Sequence, residues 1–313
     1  MSQPISSRKH LRIATRKSPL ALWQANHARE KLLEHWPDLT VELLPMTTSG
    51  DRFFDKNLLE IGGKGLFVKE LETALLNHEA DFAVHSMKDM PADMPDGLTL
   101  HTIFSRQNPL DAFVSNQFPT LNSLPKNAII GTSSLRRASQ LLALRPDLVI
   151  EPIRGNLGTR LKKLDAGPYH ALILAAAGLE RLQLDARIQE TLPETVMLPA
   201  PGQGALGIEC RADDTALHAL LKPLHDSNTA NTVAAERLVN KSLGGNCHTP
   251  IAIYCRTSGN HQLTLNTLIA SPDGKHIIRD TQTGSENGAQ QLAEAAVQAL
   301  KQKNAHALLS RHE

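Results

Sequence analysis

Short apolar stretches alternate with amphipathic helical ones from the start of the chain, and this alternation limits the folds that are open to it. Strands are predicted at 11–15, 40–46 and 81–85, and a helix begins after the first of them at the Ser18–Pro19 cap. A helix between two strands carries the chain back so that the strands lie parallel, which favours a mostly parallel, doubly wound sheet. The alternation resumes after Asn108–Pro109, so the sequence predicts two α/β lobes.

Three domains are expected, because 313 residues exceed what one ordinary core holds. The stretch 198–204, LPAPGQG, has the composition of a hinge, and a predicted strand at 205–211 follows it. From about Asp226 the pattern changes to helix, three strands and helix, which predicts a smaller C-terminal α/β domain with a three-stranded sheet. The predicted domains are domain 1 at 1–104 and 205–223, domain 2 at 105–204, and domain 3 at 224–313.

Charge, cysteine content and the lack of long apolar runs argue against several classes of protein. The net charge of +1 gives no bulk electrostatic basis for binding nucleic acid or a membrane surface. The three cysteines have no CxxC spacing, the start of the chain lacks an apolar signal region, and no apolar run is long enough to span a bilayer. The 14 histidines show no metal-ligand spacing. We expect a reduced, cytoplasmic protein without a metal site, and a monomer, because no sustained apolar surface pattern indicates an obligate partner.

Polar residues follow four of the predicted strands, where a doubly wound sheet binds its ligands. Arg136 and Arg137 lie in the first turn of a predicted helix, an end at which the macrodipole disfavours cations. An anion over the helix start would explain them, held also by backbone N–H groups and by the hydroxyls at 132–134. Alternatively, each arginine is a solvated surface charge. The four strand ends are 15–16, 85–89, 131–134 and 154–156. Nearby arginines join Arg136 and Arg137, and as a set they predict a small polyanionic ligand. These are Arg16, Arg154, Arg160 and Arg181.

Asp89 is an acid in this basic neighbourhood, and two interpretations remain open. In one, its carboxylate forms an ion pair with Lys88 or a nearby arginine. In the other, the carboxylate accepts a hydrogen bond from an N–H group of the ligand and directs proton transfer during a reaction.

Two glycine-bearing segments resemble phosphate or nucleotide motifs without matching them. The sequence GQGALG at 202–207 fits the GxGxxG pattern, but it precedes a strand instead of following one, so dinucleotide binding is rejected. The sequence GGKG at 62–65 lacks the spacing and the hydroxyl of a P-loop. It belongs to the long polar segment 47–65, which is a candidate mobile flap.

Cys247 lies at a predicted turn, LGGNCHTPI, between a helix that ends near Ser242 and a strand that begins at Ile251. The two glycines permit positive φ and leave the sulfur uncovered, which suits a reactive or modified thiol. The neighbouring His248 could lower the pKa of that thiol, although adjacent side chains often diverge. Alternatively, the cysteine is a small apolar residue that fills the turn.

Taken together, these motifs resemble one family closely, the porphobilinogen deaminases, also called hydroxymethylbilane synthases. The resemblance covers almost the whole chain and is weakest over the last sixty residues or so. The matching stretches are 11–22 (LRIATRKSPLAL), 62–72 (GGKGLFVKELE), 83–91 (AVHSMKDMP), 130–137 (IGTSSLRR), 153–161 (IRGNLGTRL), 175–182 (AAAGLERL), 202–211 (GQGALGIECR) and 235–251. One departure is Asn246, which stands where the family usually has a small residue before the cysteine; asparagine tolerates positive φ.

The resemblance implies a fold and a reaction. Two of the three domains are expected to resemble the lobes of type II periplasmic binding proteins, with the active site between them. The third is expected to hold a dipyrromethane cofactor by a thioether bond to Cys247. On this primer four porphobilinogen molecules are joined head to tail with loss of ammonia, and water releases hydroxymethylbilane. The expected enzyme is thus a transferase of tetrapyrrole and haem biosynthesis.

The resemblance also implies a role for individual residues, with Asp89 as the catalytic carboxylate. The residues expected to contact the cofactor are Cys247, Lys88, Asp89, Thr132, Ser133, Ser134, Arg136, Arg137 and Arg154. The residues expected to bind porphobilinogen are Arg16, Ser18, Arg154, Arg160, Arg181 and Gln203.

Two other classes of protein would use some of the same features. A solute-binding module could consist of two α/β lobes and an arginine-lined cleft, but it would carry no covalent adduct. A hydrolase with a cysteine nucleophile would show no stable adduct either. The intact mass therefore separates both classes from a deaminase, which is heavier than its sequence by two linked pyrroles.

Overall fold

The computed structural model describes residues 9–52, 68–246, 249–259 and 261–309. The strands within these residues are β1 (His10–Arg16), β2 (Thr40–Met46), β3 (Phe82–Ser86), β4 (Leu98–Ile103), β5 (Asp111–Val114), β6 (Ile129–Gly131), β7 (Val149–Glu151), β8 (Ala171–Ala175), β9 (Glu190–Leu192), β10 (Leu206–Arg211), β11 (Ile251–Ser258), β12 (Gln262–Ala270) and β13 (Ile277–Ser285). The helices are α1 (Pro19–His35), α2 (Ser49–Arg52), α3 (Lys69–Leu76), α4 (Leu135–Leu144), α5 (Leu157–Ala166), α6 (Ala176–Arg181), α7 (Thr215–Leu221), α8 (Ser227–Ser242), α9 (Ala289–Gln302) and α10 (His306–Leu309). The short elements α2, β9 and α10 are not among the predicted ones.

The chain divides into two compact units. One consists of residues 1–106 and 205–230, and the other of residues 107–204 and 231–313. The predicted lobes at 1–104 with 205–223 and at 105–204 fall in different units, while the predicted third domain at 224–313 falls mostly in the second unit. The three-domain division stays a prediction.

The sheet of the first unit has the strand order β2-β1-β3-β10-β4. Strand β1 lies parallel to β2 and β3, whereas β10 lies antiparallel to β3 and β4. The prediction of a mostly parallel sheet is therefore wrong for half of the pairings. The reason is that β10 enters the sheet after the chain has passed through the second unit, so no strand–helix–strand crossover sets its direction.

The sheet of the second unit repeats this arrangement, with the order β7-β6-β8-β5-β9. Strand β6 lies parallel to β7 and β8, and β5 lies antiparallel to β8 and β9. Apolar residues cover both faces: Phe113 of β5 packs in one buried cluster, and Ala112 and Val114 pack in another. Such double coverage confirms the doubly wound α/β architecture.

The third sheet, β11-β12-β13, is antiparallel throughout and confirms the predicted C-terminal three-stranded sheet. One of its faces packs on α8 and α9, where Ile253 and Leu265 meet Ala293 and Ala296 in a buried cluster. On the other face a smaller cluster joins Ala252, Leu268 and Ala270 to Leu198, which belongs to the predicted hinge segment.

Glu236 of α8 ties this third sheet to the predicted hinge segment. Its carboxylate is fully buried and accepts a hydrogen bond from the backbone N–H of Gly202 at 2.6 Å and from that of Cys255 at 2.7 Å. Backbone donors that bind a carboxylate form strong, charge-assisted hydrogen bonds. Residues 199–204, strand β11 and helix α8 are thus held at one buried carboxylate.

A tight turn at Gly274, between β12 and β13, lies against α4. Gly274 has φ of +70°, and a Cβ atom placed there would collide with the backbone of Ser139 and Ala143. A side chain at this position would therefore combine left-handed backbone strain with a steric clash, and only glycine fits.

Gly274→Ala is accordingly expected to lower the free energy of unfolding of the second unit by at least about 1 kcal/mol, because the left-handed conformation alone costs an alanine roughly that amount. Denaturant unfolding followed by circular dichroism measures the change. Gly259→Ala is the matched control, since no heavy atom of the described chain lies within 4 Å of a Cβ built at that glycine and its φ is not in the left-handed range. Equal stability of the two variants would contradict the packing described for Gly274.

Part of the predicted polar flap at 47–65 is described. Its first residues form the helical turn α2, where the backbone N–H and the hydroxyl of Ser49 both donate to Glu70 of α3. Residues 53–67, which include GGKG and the predicted start of the following helix, lie outside the described residues. Of the described helices, none is both long and apolar enough to cross a membrane.

Candidate functional site

The end of β1 and the start of α1 form the first of the predicted polar strand ends. Ser18 occupies the N-cap position of α1, and its hydroxyl oxygen accepts a hydrogen bond from the N–H of Ala21 at 3.3 Å. The hydroxyl of buried Thr15 donates to the carbonyl of Ala21 at 3.1 Å. These bonds confirm the predicted cap and fix the backbone beside half-buried Arg16, the last residue of β1.

Asp89 lies at the end of one 3₁₀ turn, Met87–Asp89, that directly follows the buried strand β3. Met87 is buried, and its N–H donates to the carbonyl of Ala205 at 3.0 Å, which anchors the turn. The side chain of Asp89 is exposed, while that of Lys88 is half-buried. Within the described part of the chain, the Asp89 carboxylate makes no hydrogen bond and no ion pair. The ion pair considered as an alternative role is thus not found there, and the catalytic role stays a prediction.

The second unit contains a buried cluster of two arginines on one carboxylate. Arg136 and Arg137 of α4 are only 4% and 7% exposed, and Asp111 of β5 is fully buried. The Arg136 guanidinium binds Asp111 as a fork, from Nη1 to Oδ2 at 2.7 Å and from Nη2 to Oδ1 at 3.2 Å. Arg137 reaches Oδ1 through Nε at 3.0 Å and Nη2 at 2.7 Å. The alternative of solvated surface charges is therefore wrong for these two arginines.

The two arginines control the ionisation of Asp111. Burial alone would raise the pKa of Asp111, but the charges and hydrogen bonds of Arg136 and Arg137 hold it well below its usual range. The carboxylate is therefore held in its charged form, and two guanidinium groups share it. Guanidinium groups also bind the carboxylates of ligands.

Two of the three hydroxyl groups ahead of α4, those of Thr132 and Ser133, hold the chain. Ser134 occupies the N-cap position of α4, and its side chain makes no capping bond there. The Thr132 hydroxyl oxygen accepts from the N–H of Ser134 at 3.2 Å. The Ser133 hydroxyl donates to the carbonyl of Ile153 at 2.8 Å and accepts from its N–H at 3.1 Å. These bonds pin the loop after β6 to the segment after β7, where Arg154 follows.

Arg181 and Gln203 hold the two segments at which the chain enters and leaves the second unit. Arg181 is buried, and its Nε donates to the Gln107 side chain at 2.6 Å while its Nη2 donates to the carbonyl of Gly204 at 2.9 Å. Gln203 donates through Nε2 to the carbonyl of Pro109 at 2.7 Å and to Asp111 Oδ1 at 3.1 Å. Gln203 thus joins the arginine cluster, as a third predicted ligand-binding side chain on the same carboxylate.

Arg154 and Arg160 frame the start of α5. Both are half-buried, and Arg160 Nε donates to the carbonyl of Gly155 at 2.8 Å. Gly155 has φ of +113°, and a Cβ atom there would lie 2.7 Å from the side chain of Thr159. Asn156 caps the helix by accepting from the N–H of Thr159 at 2.9 Å. The turn therefore needs glycine. It places Arg154 after β7 and Arg160 in the first turns of α5, as the sequence predicts.

Cys247 and His248 lie outside the described residues, so the predicted attachment turn is seen only in its flanks. Helix α8 ends at Ser242, and Gly244 has the predicted positive φ, at +67°. After the gap, the hydroxyl of Thr249 accepts from the N–H of Asn246 at 2.9 Å and donates to its carbonyl at 2.8 Å. These bonds join Asn246 to Thr249, the described residues on either side of the gap.

The other two cysteines, Cys210 and Cys255, are buried in strands. Burial, with a further contribution from the charge of Asp214, raises the pKa of the Cys210 thiol to about 12. At neutral pH this thiol is protonated and unreactive. In the described residues, no group of three or more His, Cys, Asp or Glu side chains is arranged to hold a metal ion.

Asp111 is the residue at this site that the sequence analysis does not single out. The signal for it is an acid at the start of the short apolar strand DAFV. A charged residue in a strand buried on both faces needs a cationic partner, and the two helix-start arginines lack an anion. Combining these two observations would have suggested the pairing.

Comparison with known proteins agrees with the motifs. Residues 11–219 match the family described as porphobilinogen deaminase, dipyromethane cofactor binding domain, and residues 230–302 match the porphobilinogen deaminase C-terminal domain. A porphobilinogen deaminase of Legionella pneumophila strain Lens is 55% identical over 304 residues, 97% of this chain and 98% of that protein. A second, from strain Philadelphia 1, is 56% identical over the same shares of both chains.

Among solved structures, similar folds occur in solute-binding proteins. The periplasmic aliphatic sulphonate binding protein SsuA from Escherichia coli aligns with 75% of this chain and 71% of its own, at 13% identity and a TM-score of 0.41. A periplasmic substrate-binding protein of an ABC transporter from Coxiella burnetii aligns with 72% of this chain and 96% of its own, at 14% identity and a TM-score of 0.42. TM-scores below 0.5 carry no further information about the fold of this chain. The two family matches and the near full-length relatives establish that the chain belongs to the porphobilinogen deaminase family.

Proposed function

We propose how the residues of this chain carry out the reaction of its family. The enzyme is a transferase that joins four porphobilinogen molecules head to tail with loss of ammonia, on a covalently bound dipyrromethane primer, and releases hydroxymethylbilane by hydrolysis. The observation that carries the residue-level proposal is the buried cluster in which Arg136 and Arg137 share the carboxylate of Asp111.

This cluster fits the cofactor of the family. Each pyrrole of a dipyrromethane bears two carboxylates, and the guanidinium groups of Arg136 and Arg137 suit one of them. The residues that hold the cofactor in this proposal are Cys247, by a thioether bond, with Lys88, Asp89, Thr132, Ser133, Ser134, Arg136, Arg137 and Arg154. When bound, the cofactor supplies the pyrrole end to which substrate pyrroles are added. Because it stays attached, the growing chain does not have to be rebound at every addition, which would cost on the order of 4–15 kcal/mol each time.

Porphobilinogen is bound through its acetate and propionate groups by a second set of arginines, which shares Arg154 with the cofactor set. Arg16, Arg154 and Arg160 are half-buried side chains, which suits ligand carboxylates that arrive from solvent. Arg160 is also held by its hydrogen bond to the carbonyl of Gly155. Arg181 is more deeply buried and already fixed by two hydrogen bonds. The substrate-binding set is completed by Ser18, through the polar N-terminus of α1, and by Gln203.

Asp89 is the catalytic carboxylate in this proposal. As the amine of porphobilinogen leaves as ammonia, positive charge develops on the substrate pyrrole, and an exposed carboxylate that is not ion-paired within the described residues can stabilise it. When the new carbon–carbon bond forms, the attacking ring carbon must lose its proton, and the same carboxylate can direct that proton away. An acid in a basic site has no use in binding carboxylates, so its presence supports a role in the chemical step.

The enzyme works as a cytoplasmic monomer in this proposal and binds neither nucleic acid nor a membrane. The net charge of +1 and the reduced cysteines at Cys210 and Cys255 support it.

Arg136→Leu tests the proposal, and Arg137→Leu serves as a second variant. We expect soluble protein whose intact mass equals that of the bare chain, because a cofactor carboxylate would be buried without its cation. Intact-mass spectrometry and turnover of porphobilinogen measure the two effects.

Arg145→Leu is the matched control, since Arg145 is the C-cap of the same helix and its Nη2 pairs with Asp147 at 2.7 Å. This variant should carry the cofactor and turn over normally. If Arg136→Leu and Arg137→Leu also keep the full cofactor mass and normal turnover, the proposed roles of both arginines are wrong.

A further inference from the structure

One fully buried carboxylate receives hydrogen bonds from three of the side chains assigned to ligand binding. Asp111 Oδ1 accepts from Arg136, Arg137 and Gln203, and Oδ2 accepts from Arg136 again. The three donors come from two distant segments, the first turn of α4 and the end of the 199–204 segment. Asp111 is thus the common point to which both segments are fastened.

The geometry around Asp111 sets the orientation of each guanidinium plane. Arg136 Nη1 also donates to the carbonyl of Leu198 at 2.7 Å, and Arg137 Nη1 donates to that of Ile173 at 2.9 Å. Each plane is therefore fixed by the carboxylate on one side and by a backbone carbonyl on another. Arginine has five N–H groups, and these bonds use three of those on Arg136, so that side chain keeps donors for a ligand.

The number of arginines on Asp111 distinguishes a positioning role of this residue from a merely structural one. A buried ion pair that only stabilised the fold would need a single arginine, and adding a second buried cation would cost free energy. Here one carboxylate is shared by two arginines, and it orients both guanidinium groups together with Gln203. Guanidinium groups held in fixed orientations are what a selective carboxylate site requires.

We propose that Asp111 is a positioning residue for cofactor assembly, which acts by holding Arg136, Arg137 and Gln203 in the arrangement that accepts a ligand carboxylate. This inference rests on the proposed role of the two arginines. It assigns to Asp111 no contact with substrate or cofactor.

Asp111→Glu is the sharpest test, because it keeps the charge balance and moves the carboxylate by one methylene group. Asp111→Asn is the second variant; it keeps the size, removes the charge and places an N–H donor opposite the arginines. Asp81→Asn is the matched control, since Asp81 is a buried carboxylate 3.6 Å from the guanidinium of buried Arg211, in the other unit. Apo-protein of each variant is incubated with porphobilinogen, and the rate at which the cofactor mass appears is followed by intact-mass spectrometry, below the melting temperature of each variant.

We expect Asp111→Glu and Asp111→Asn to load the cofactor at least about tenfold more slowly than the wild type, the low end of losses caused by mutating outer residues that orient a site. Asp81→Asn should lose a comparable amount of thermal stability and load at the wild-type rate. Normal loading by folded Asp111→Glu would overturn the inference, and so would equally slow loading by Asp81→Asn. If Arg136→Leu itself loads normally, the proposed function of the arginines fails first; if Arg136→Leu fails to load while Asp111→Glu loads normally, only the positioning role is wrong.

Discussion

Cys247→Ser is expected to yield folded protein that carries no dipyrromethane and has lost essentially all turnover of porphobilinogen. A thioether requires a thiolate as the nucleophile, and a serine hydroxyl is far less acidic and less nucleophilic. Without the primer there is no pyrrole end to extend, so the effect falls on every later step. Intact-mass spectrometry should show the bare chain, and a steady-state assay should show no product.

Cys210→Ala and Cys255→Ala are the controls for this experiment. Both thiols are buried, and the pKa of Cys210 is raised to about 12, so neither is available for attachment. Each variant should keep the cofactor mass, with at most a modest loss of stability from the small cavity. A peptide map that finds the pyrroles on either of these residues would overturn the assignment to Cys247.

The elements with strong local signals are the ones that the sequence predicts well. Strand β2 has the predicted bounds, and α1 begins at the Ser18–Pro19 cap, because a capping hydroxyl followed by proline defines a helix start through local bonds. The direction of β5 and β10 is not predictable in this way. A strand has the same two-residue periodicity whichever way it runs, and its direction depends on how a distant part of the chain returns to the sheet.

In the candidate site, too, local sequence predicts some features, whereas others depend on distant parts of the chain. Polar residues after β3 and β6 can be expected to lie at strand ends, and they do. The burial of Arg136 and Arg137 cannot be read from α4 alone, because their partner Asp111 lies 25 and 26 positions earlier in the chain. Arg181 is likewise buried through its bonds to Gln107 and Gly204, which only the folded second unit brings together.

Asp89→Asn is expected to lower kcat by at least ~10²-fold, the low end of general acid–base contributions. Asparagine keeps the size of the side chain and part of its hydrogen bonding but removes the negative charge. If that charge stabilises positive charge on the substrate pyrrole only as ammonia leaves, the loss falls on the chemical step more than on binding. Cofactor loading should suffer less than in Arg136→Leu, because the arginines and not Asp89 neutralise the cofactor carboxylates.

The measurement that decides this is single-turnover elongation by purified Asp89→Asn that already carries its cofactor. Asp96→Asn is a suitable control, since Asp96 is an exposed acid seven residues further on, and its loss changes the net charge equally. We expect each pyrrole addition to be slow in Asp89→Asn and unchanged in Asp96→Asn. If the Asp89 variant adds every pyrrole at the wild-type rate, positive charge on the substrate is stabilised by another group, and Asp89 has only a structural role at the end of β3.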